Sequence, residues 1–338
     1  MIVVFCGIND ACTKEVTSPE KPSSSTNSFK ITPMNDIYVY GKHHLTDVHI
    51  FSDGSIWGVG YDGQDPRRMF HSMDSGNRWE VITVPSEGWV LNSICFIEDR
   101  HGWAAGNNGT VLNTHDQGAT WVNENIGTSI NLTTINFFDP NIGILGGVIS
   151  RTDKKTMSST QYNAKLFITR DGGKHWTISY EDHKSEVVKV IALSEKVYIA
   201  WLSAIGIIKT VDGGNSWQMV LPYQSRIVDI VFTSDKIGFA LSDTGEIHKT
   251  DNQGSNWEKT MNLSPPSTDS FWWGIDFTDS IHGIAVGDFG KYASTFDGGK
   301  SWVLSKLNES DDLKVVRLNK KNGIIIGSHK IYSITGFQ

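Results

Sequence analysis

One octet recurs six times along the chain, and it constrains the fold more than any other feature. It reads SMDSGNRW at 72–79, THDQGATW at 114–121, TRDGGKHW at 169–176, TVDGGNSW at 210–217, TDNQGSNW at 250–257 and TFDGGKSW at 295–302. The third position is Asp74, Asp116, Asp171, Asp212, Asn252 and Asp297; the eighth is Trp79, Trp121, Trp176, Trp217, Trp257 and Trp302. This is the chemistry of a hairpin turn. A carboxylate accepts bonds from backbone N–H groups of the turn, and glycine supplies a positive φ. The tryptophan starts the next strand and lays its ring over the turn. Six such sites repeated around a fold read as structural staples rather than as catalytic or metal sites.

The tryptophans are spaced by 42, 55, 41, 40 and 45 residues. Repeats of 40–50 residues built from short strands between glycines are propeller blades. The second unit reads as strands at Asn92–Phe96, Gly102–Gly106, Val111–Thr114 and from Trp121. The sixth reads the same way at Gly274–Phe277, Gly283–Gly287, Lys291–Thr295 and from Trp302. After the last octet, Leu313–Leu318, Asn322–Gly327 and Ile331–Ile334 give three strands of a seventh unit. The fourth strand of that unit is expected from the other end of the chain, at Ile37–Gly41, where it would leave no open edge. The sequence thus predicts an all-β fold: a seven-bladed β-propeller of four-stranded antiparallel blades, closed by an N-terminal strand completing the last blade. Its expected domains are a leader and flexible tether over 1–35 and a single propeller over 36–338.

A net charge of −7 argues against a nucleic-acid partner, which selects for a basic face. No apolar run approaches the length of a membrane-spanning helix. Three cysteines, Cys6, Cys12 and Cys95, make neither a disulfide framework nor a four-ligand zinc site. Cys95 falls in a strand and is expected as a buried thiol. Cys12, ahead of a Ser/Thr/Pro/Lys-rich stretch, has the layout of a lipidated N-terminus, so it is the lipidation candidate and points to a cell-envelope or extracellular location. The third unit holds about a dozen extra residues, a polar Ser150–Gln161 stretch expected to form a protruding hairpin or loop.

Topology sorts the loops. The octets join third to fourth strands, so they share one face with the first-to-second turns. The opposite face receives the insertion together with Trp89, Tyr180, Tyr223, Trp272, Arg67, Arg68, Arg151 and Arg226, which are the candidate partner-binding residues because aromatics and arginines anchor interfaces. Trp273 shares strand parity with Ile275 and Phe277 and is expected to be buried. Asn136, Asp276 and Arg317 take matching positions along the central tunnel, where Asp276 and Arg317 could form a structural pair. His43, His44 and His49 lie close in sequence, but no metal site is assigned. No catalytic residue and no cofactor are assigned either, because neither nucleotide-binding loops nor hydrolase motifs occur.

The octet is identified as the Asp-box, or BNR repeat. The segments His101–Trp121 and His282–Trp302 resemble the repeat of photosystem II stability and assembly factors, and the likeness extends over about 37–335. The resemblance implies a seven-bladed, non-enzymatic assembly scaffold with an arginine-rich partner surface. This chain has eight arginines and no cluster that matches such a patch. Sialidases are less similar, since no Arg-Ile-Pro motif occurs. Xyloglucanase-type hydrolases pair two propellers, and sortilin-type ectodomains have ten blades. The expectation is therefore a non-catalytic, monomeric scaffold for a protein partner, such as a membrane protein complex; the alternative is a carbohydrate-binding or glycoside-hydrolase propeller with a glycan partner.

Overall fold

The computed structural model describes residues 29–34, 44–61, 68–85, 90–124, 126–152, 160–223, 226–263 and 270–336. They form seven four-stranded antiparallel sheets. The first blade comprises His44–Ile50, Ile56–Tyr61, Arg68–Ser72 and Glu80–Thr83. Each of the next five repeats this meander, with the sixth at Trp272–Phe277, Gly283–Gly287, Lys291–Thr295 and Val303–Lys306. The seventh consists of Leu313–Leu318, Asn322–Gly327 and Ile331–Thr335, and Lys30–Pro33 adds its outer strand.

An N-terminal strand thus closes the ring, pairing Lys30 with Thr335 and Pro33 with Tyr332. The segment that does so lies upstream of the one expected, inside the stretch assigned to the tether. Ile37–Gly41 lies outside the described residues. Pro33 is tolerated there because an outermost strand needs no donor on its free side. The insertion in the third blade lengthens its two middle strands to Gly143–Thr152 and Thr160–Thr169, paired through Thr152↔Thr160.

Burial follows radial position. Second strands such as Tyr198–Leu202 and Gly238–Ser242 are buried at every residue, whereas outer strands expose alternate or adjacent side chains, among them Met219, Val303 and Leu304. The core is divided among the gaps between blades. Leu45, Ile56 and Phe70 meet Ile324 and Ile326 between blades one and seven, and Ile284 and Val286 meet Val316 and Tyr332 between six and seven. Phe96, Phe137, Phe232 and Phe277 lie at or next to the ends of four of the first strands. Each lies edge-on to the Asp-box tryptophan of its own blade, with ring centroids 5.8–6.0 Å apart. Gly102, Gly143, Gly238 and Gly283 admit those rings, since a Cβ at any of them would lie within 2.8 Å of the phenyl carbons.

The six Asp-boxes share one hydrogen-bond pattern. In the second, Thr114 Oγ1 donates to Asp116 Oδ1 (2.7 Å), Gly118 N donates to Thr114 Oγ1 (3.0 Å), and Thr120 N donates to Asp116 Oδ1 (2.9 Å). The fifth box keeps the pattern with Asn252 Oδ1 as acceptor, because a neutral amide oxygen suffices for the N–H bond. The fourth and fifth box positions both take positive φ, 60° and 90° at Gln117 and Gly118.

Candidate functional site

In each of the seven first strands the pairing register slips by one residue near the blade-to-blade connection, at Leu45/Asp47 in the first blade and Trp272/Gly274 in the sixth. The extra residue of such a bulge is unpaired and re-aims its neighbours. The seven extra residues are Thr46, Asn92, Thr133, Val188, Val228, Trp273 and Lys314. They converge on the mouth of the central tunnel, on the face opposite the Asp-boxes, around a cavity of about 240 Å³.

In four blades the residue after the bulge lies deeper and deals with an exposed strand edge. A first strand has no partner on its inner side, so its N–H groups need other acceptors. Asp47 Oδ2 accepts from Ile94 N of the second blade (3.3 Å), Ser93 Oγ from Ile135 N (3.4 Å), Thr134 Oγ1 from Val190 N (3.3 Å) and Asp229 Oδ2 from Ile275 N (3.3 Å). One layer further in, Asn136 Oδ1 accepts from Ala192 N and Asp276 Oδ2 from Leu318 N. The tunnel polar residues are therefore inter-blade ties.

The tunnel charges are also committed to each other. Lys189 Nζ donates to Asp229 Oδ1 (2.5 Å). Arg317 does not pair with Asp276 as expected from register. It reaches to the outer layer and forks onto Asp47 (2.9 Å), with Asp229 at 3.6 Å. Burial pushes the Asp276 carboxyl up to about 6, against the opposing pull of the Arg317 charge. Burial likewise lowers His49 to about 4, and its ring packs on Phe51 and Phe96. Cys95 is a buried strand thiol.

The mouth is not symmetric. In the first three blades the bulge residue ties blades together: Thr46 Oγ1 donates to Leu91 O (3.3 Å), Asn92 Nδ2 to Leu132 O (2.8 Å) and Thr133 Oγ1 to Val187 O (2.7 Å). In the other four the same position holds Val188, Val228, Trp273 and Lys314, an apolar, aromatic and cationic arc. Trp273 is half-buried, its Nε1–H donating to Asp288 Oδ1 (2.5 Å) and its ring lying under Lys314 Nζ (4.1 Å). A second cavity, of about 400 Å³, adjoins this arc and is lined by Val188, Val228 and Trp273 with Trp201, Tyr223, Arg226 and Glu186. Tyr223, half exposed, stacks on buried Trp201 with centroids 6.4 Å apart.

Among the sequence-derived candidates, Tyr223 and Arg226 therefore meet at one cavity. Trp272 does not join them: the bulge shifts parity by one residue, so Trp272 is core and Trp273 faces the mouth, the reverse of the alternation expected from Ile275 and Phe277. Tyr180 packs against Trp217 at the edge of the core between blades three and four. Arg68 begins the third strand of the first blade and is half-buried. Trp89, Arg67, Cys12 and His43 lie outside the described residues, as do the side chains of Arg151 and His44. No group of three or more His, Cys, Asp or Glu that could hold a metal occurs among the described residues. Sequence reasoning missed Trp273, Lys189 and Asp229, although a signal exists. Apolar residues three apart at the start of these strands, as in Leu45–Val48, Leu91–Ile94 and Ile227–Ile230, mark a bulge where strict alternation would space them by two.

Comparison with known proteins agrees with this architecture. Residues 53–152 match the family of the photosynthesis system II assembly factor Ycf48. A stretch of 45 residues is 42% identical to the photosystem II assembly protein Ycf48 of Thermosynechococcus vestitus, covering 13% of this chain and 13% of that relative. Among solved structures, Ycf48 bound to a D1 peptide superposes with a TM-score of 0.68 at 16% identity, over 95% of this chain and 99% of that one. A GH74 xyloglucanase from Xanthomonas campestris reaches 0.69 at 12% identity, over 92% of this chain and 54% of its own length. At these identities the superpositions speak to fold alone. The chain is an Asp-box propeller that resembles the Ycf48 photosystem II assembly factors.

Proposed function

We propose that this protein is a non-catalytic scaffold that binds a segment of a protein partner across the tunnel mouth. The observation that supports it is the asymmetry of the bulge ring. Where three blades use the position to tie neighbours together, four present Val188, Val228, Trp273 and Lys314 beside Tyr223 and Arg226. Aromatic and arginine side chains around a pocket are the usual anchors of protein interfaces. Catalysis is disfavoured by the engagement of Asp47, Asp229 and Asp276, each of which accepts from a neighbouring strand or a cation. A pair of carboxylates for glycoside hydrolysis would need one acid and one base or nucleophile free to act.

The likeness to Ycf48, one structure of which holds a D1 peptide, supports a partner of the same kind: a peptide segment of a membrane protein complex. The same reading places the protein, as a monomer, at the cell envelope, tethered through Cys12. Among the described residues no helix is long and apolar enough to cross a membrane. The test is a crosslinking pull-down from native host membranes, comparing the unmodified protein with a Trp273→Ala, Tyr223→Ala, Arg226→Ala variant. A protein partner lost in the folded variant is the expected result. Recovery of glycan without protein, or hydrolysis of a glycan, would overturn the scaffold reading.

A further inference from the structure

A third cavity, a cleft of about 400 Å³, opens on the Asp-box face between the first and second blades. Its walls include Phe51, Trp57, His71 and Met73, with the carboxylates of Asp53 and Asp116 at its rim. His71 lies flat on Trp57, centroids 4.4 Å apart. Trp57 Nε1–H donates to Gln117 O of the second Asp-box (2.9 Å).

Two other blades place a lysine in the equivalent gap, whereas the second, third and sixth carry Asn113, Ile168 and Ser294 at the position of His71. His71 immediately precedes its Asp-box, and the residue in that place in the fourth and fifth blades is Lys209 and Lys249. Lys209 Nζ crosses to the next box and donates to Ser255 Oγ (2.7 Å). Lys249 Nζ crosses to Gly298 O (2.9 Å) and lies 5.1 Å from the Phe239 ring centre. Between blades three and four, Arg170 Nη2 does the same to Gly213 O (2.8 Å). The cleft at Lys209 measures about 110 Å³, so the lysine fills what His71 leaves open. Ala119 stands where Ser255 does in its box, so the wider cleft also lacks that hydroxyl.

We propose that the cleft between the first and second blades binds an alkylammonium or guanidinium group, which takes the place that Lys209 and Lys249 occupy in their own gaps. The alkyl stem lies along Met73 and the His71 ring that covers Trp57, and the cation faces the carboxylates of Asp53 and Asp116. Burial lowers the His71 pKa, which keeps the imidazole neutral and free of repulsion toward the ligand. The cation is either a lysine or arginine side chain of a protein or a free amine. This site is separate from the tunnel mouth and does not rest on the scaffold reading.

The test follows the Trp57 indole N–H resonance while n-butylammonium, n-butylguanidinium, a short lysine peptide and the neutral 1-pentanol are titrated into the full chain. A saturable shift with the cations and none with the alcohol is expected. A tighter lysine peptide would assign the source to a protein, and a tighter free amine to a small molecule. His71→Lys supplies its own cation and is expected to abolish the shift while keeping or raising the melting temperature. Asp53→Asn is expected to weaken binding severalfold without altering the fold. No saturable shift, an equal response to the alcohol, or undiminished binding in both folded variants would overturn the proposal.

Discussion

At the residue scale, the Asp-box is a backbone device. Its carboxylate and hydroxyl organise two consecutive left-handed residues, and three boxes place a non-glycine at the first of them: Ser75, Gln117 and Gln253, with φ near 60°. A side chain in that region costs about 1 kcal/mol or more, partly offset by the extra entropy glycine brings to the unfolded chain. Gln117→Gly is therefore expected to stabilise by about 0.5 kcal/mol, as in the boxes that already carry glycine there. Chemical denaturation would show a small rise in midpoint, and a fall would contradict the argument. Asp276 gives a second prediction. Its folded pKa, about 6, lies above the ordinary value of 3.8. The native state thus binds the proton more tightly than the unfolded chain, and the group's contribution is favourable at low pH and lost as pH rises through 6. Asp276→Asn keeps an acceptor for Leu318 N, gives up the one for Phe277 N, and removes the larger cost of a buried charge. It should raise stability by about 1–3 kcal/mol at pH 8 and change little at pH 4, read from melting curves at the two values.

Within single strands, the bulge decides which residues face the tunnel mouth. Alternation alone puts Trp273 inside and Trp272 outside; one unpaired residue inverts both. Trp272→Ala is expected to cost about 3–5 kcal/mol, as a large core deletion does. Trp273→Ala should cost about 1–2 kcal/mol, from a hydrogen bond to Asp288 and the Lys314 contact. Equal losses in a denaturation series would contradict the parity assigned here. The blades themselves were legible in the sequence because each box fixes a hairpin and each Gly–apolar–Gly run fixes a second strand. The mouth was less legible, since a bulge leaves only a change of apolar spacing from two to three. Arg317 illustrates the same limit: register places it beside Asp276, but its long side chain reaches a layer outward to two carboxylates.

For the whole molecule, a propeller has no central core, so stability depends on every gap being sealed. Closure by Lys30–Pro33 joins the two ends of the chain, and the preceding composition gave no periodicity from which to find it. Its four residues pair with Tyr332–Thr335, and Met34 packs at the first Asp-box against Gly76. Deleting residues 30–33 is expected to lower the melting temperature of the entire ring in one cooperative transition, because an open blade exposes both an edge and its inter-blade cluster. Loss confined to the seventh blade, seen by hydrogen exchange with the other six unchanged, would contradict that.

The box turns lie on one face, and the tunnel mouth with its aromatic arc lies on the other. A photo-crosslinking amino acid placed at Tyr223, compared with the same group at Val211 on the box face, tests this most directly in the native host. Val211 is 63% exposed and so a fair control. One discrete protein adduct is expected from position 223 and none from position 211. Adducts from 211 alone, or none from 223 in a folded protein that still pulls down its partner, would contradict the proposed binding face.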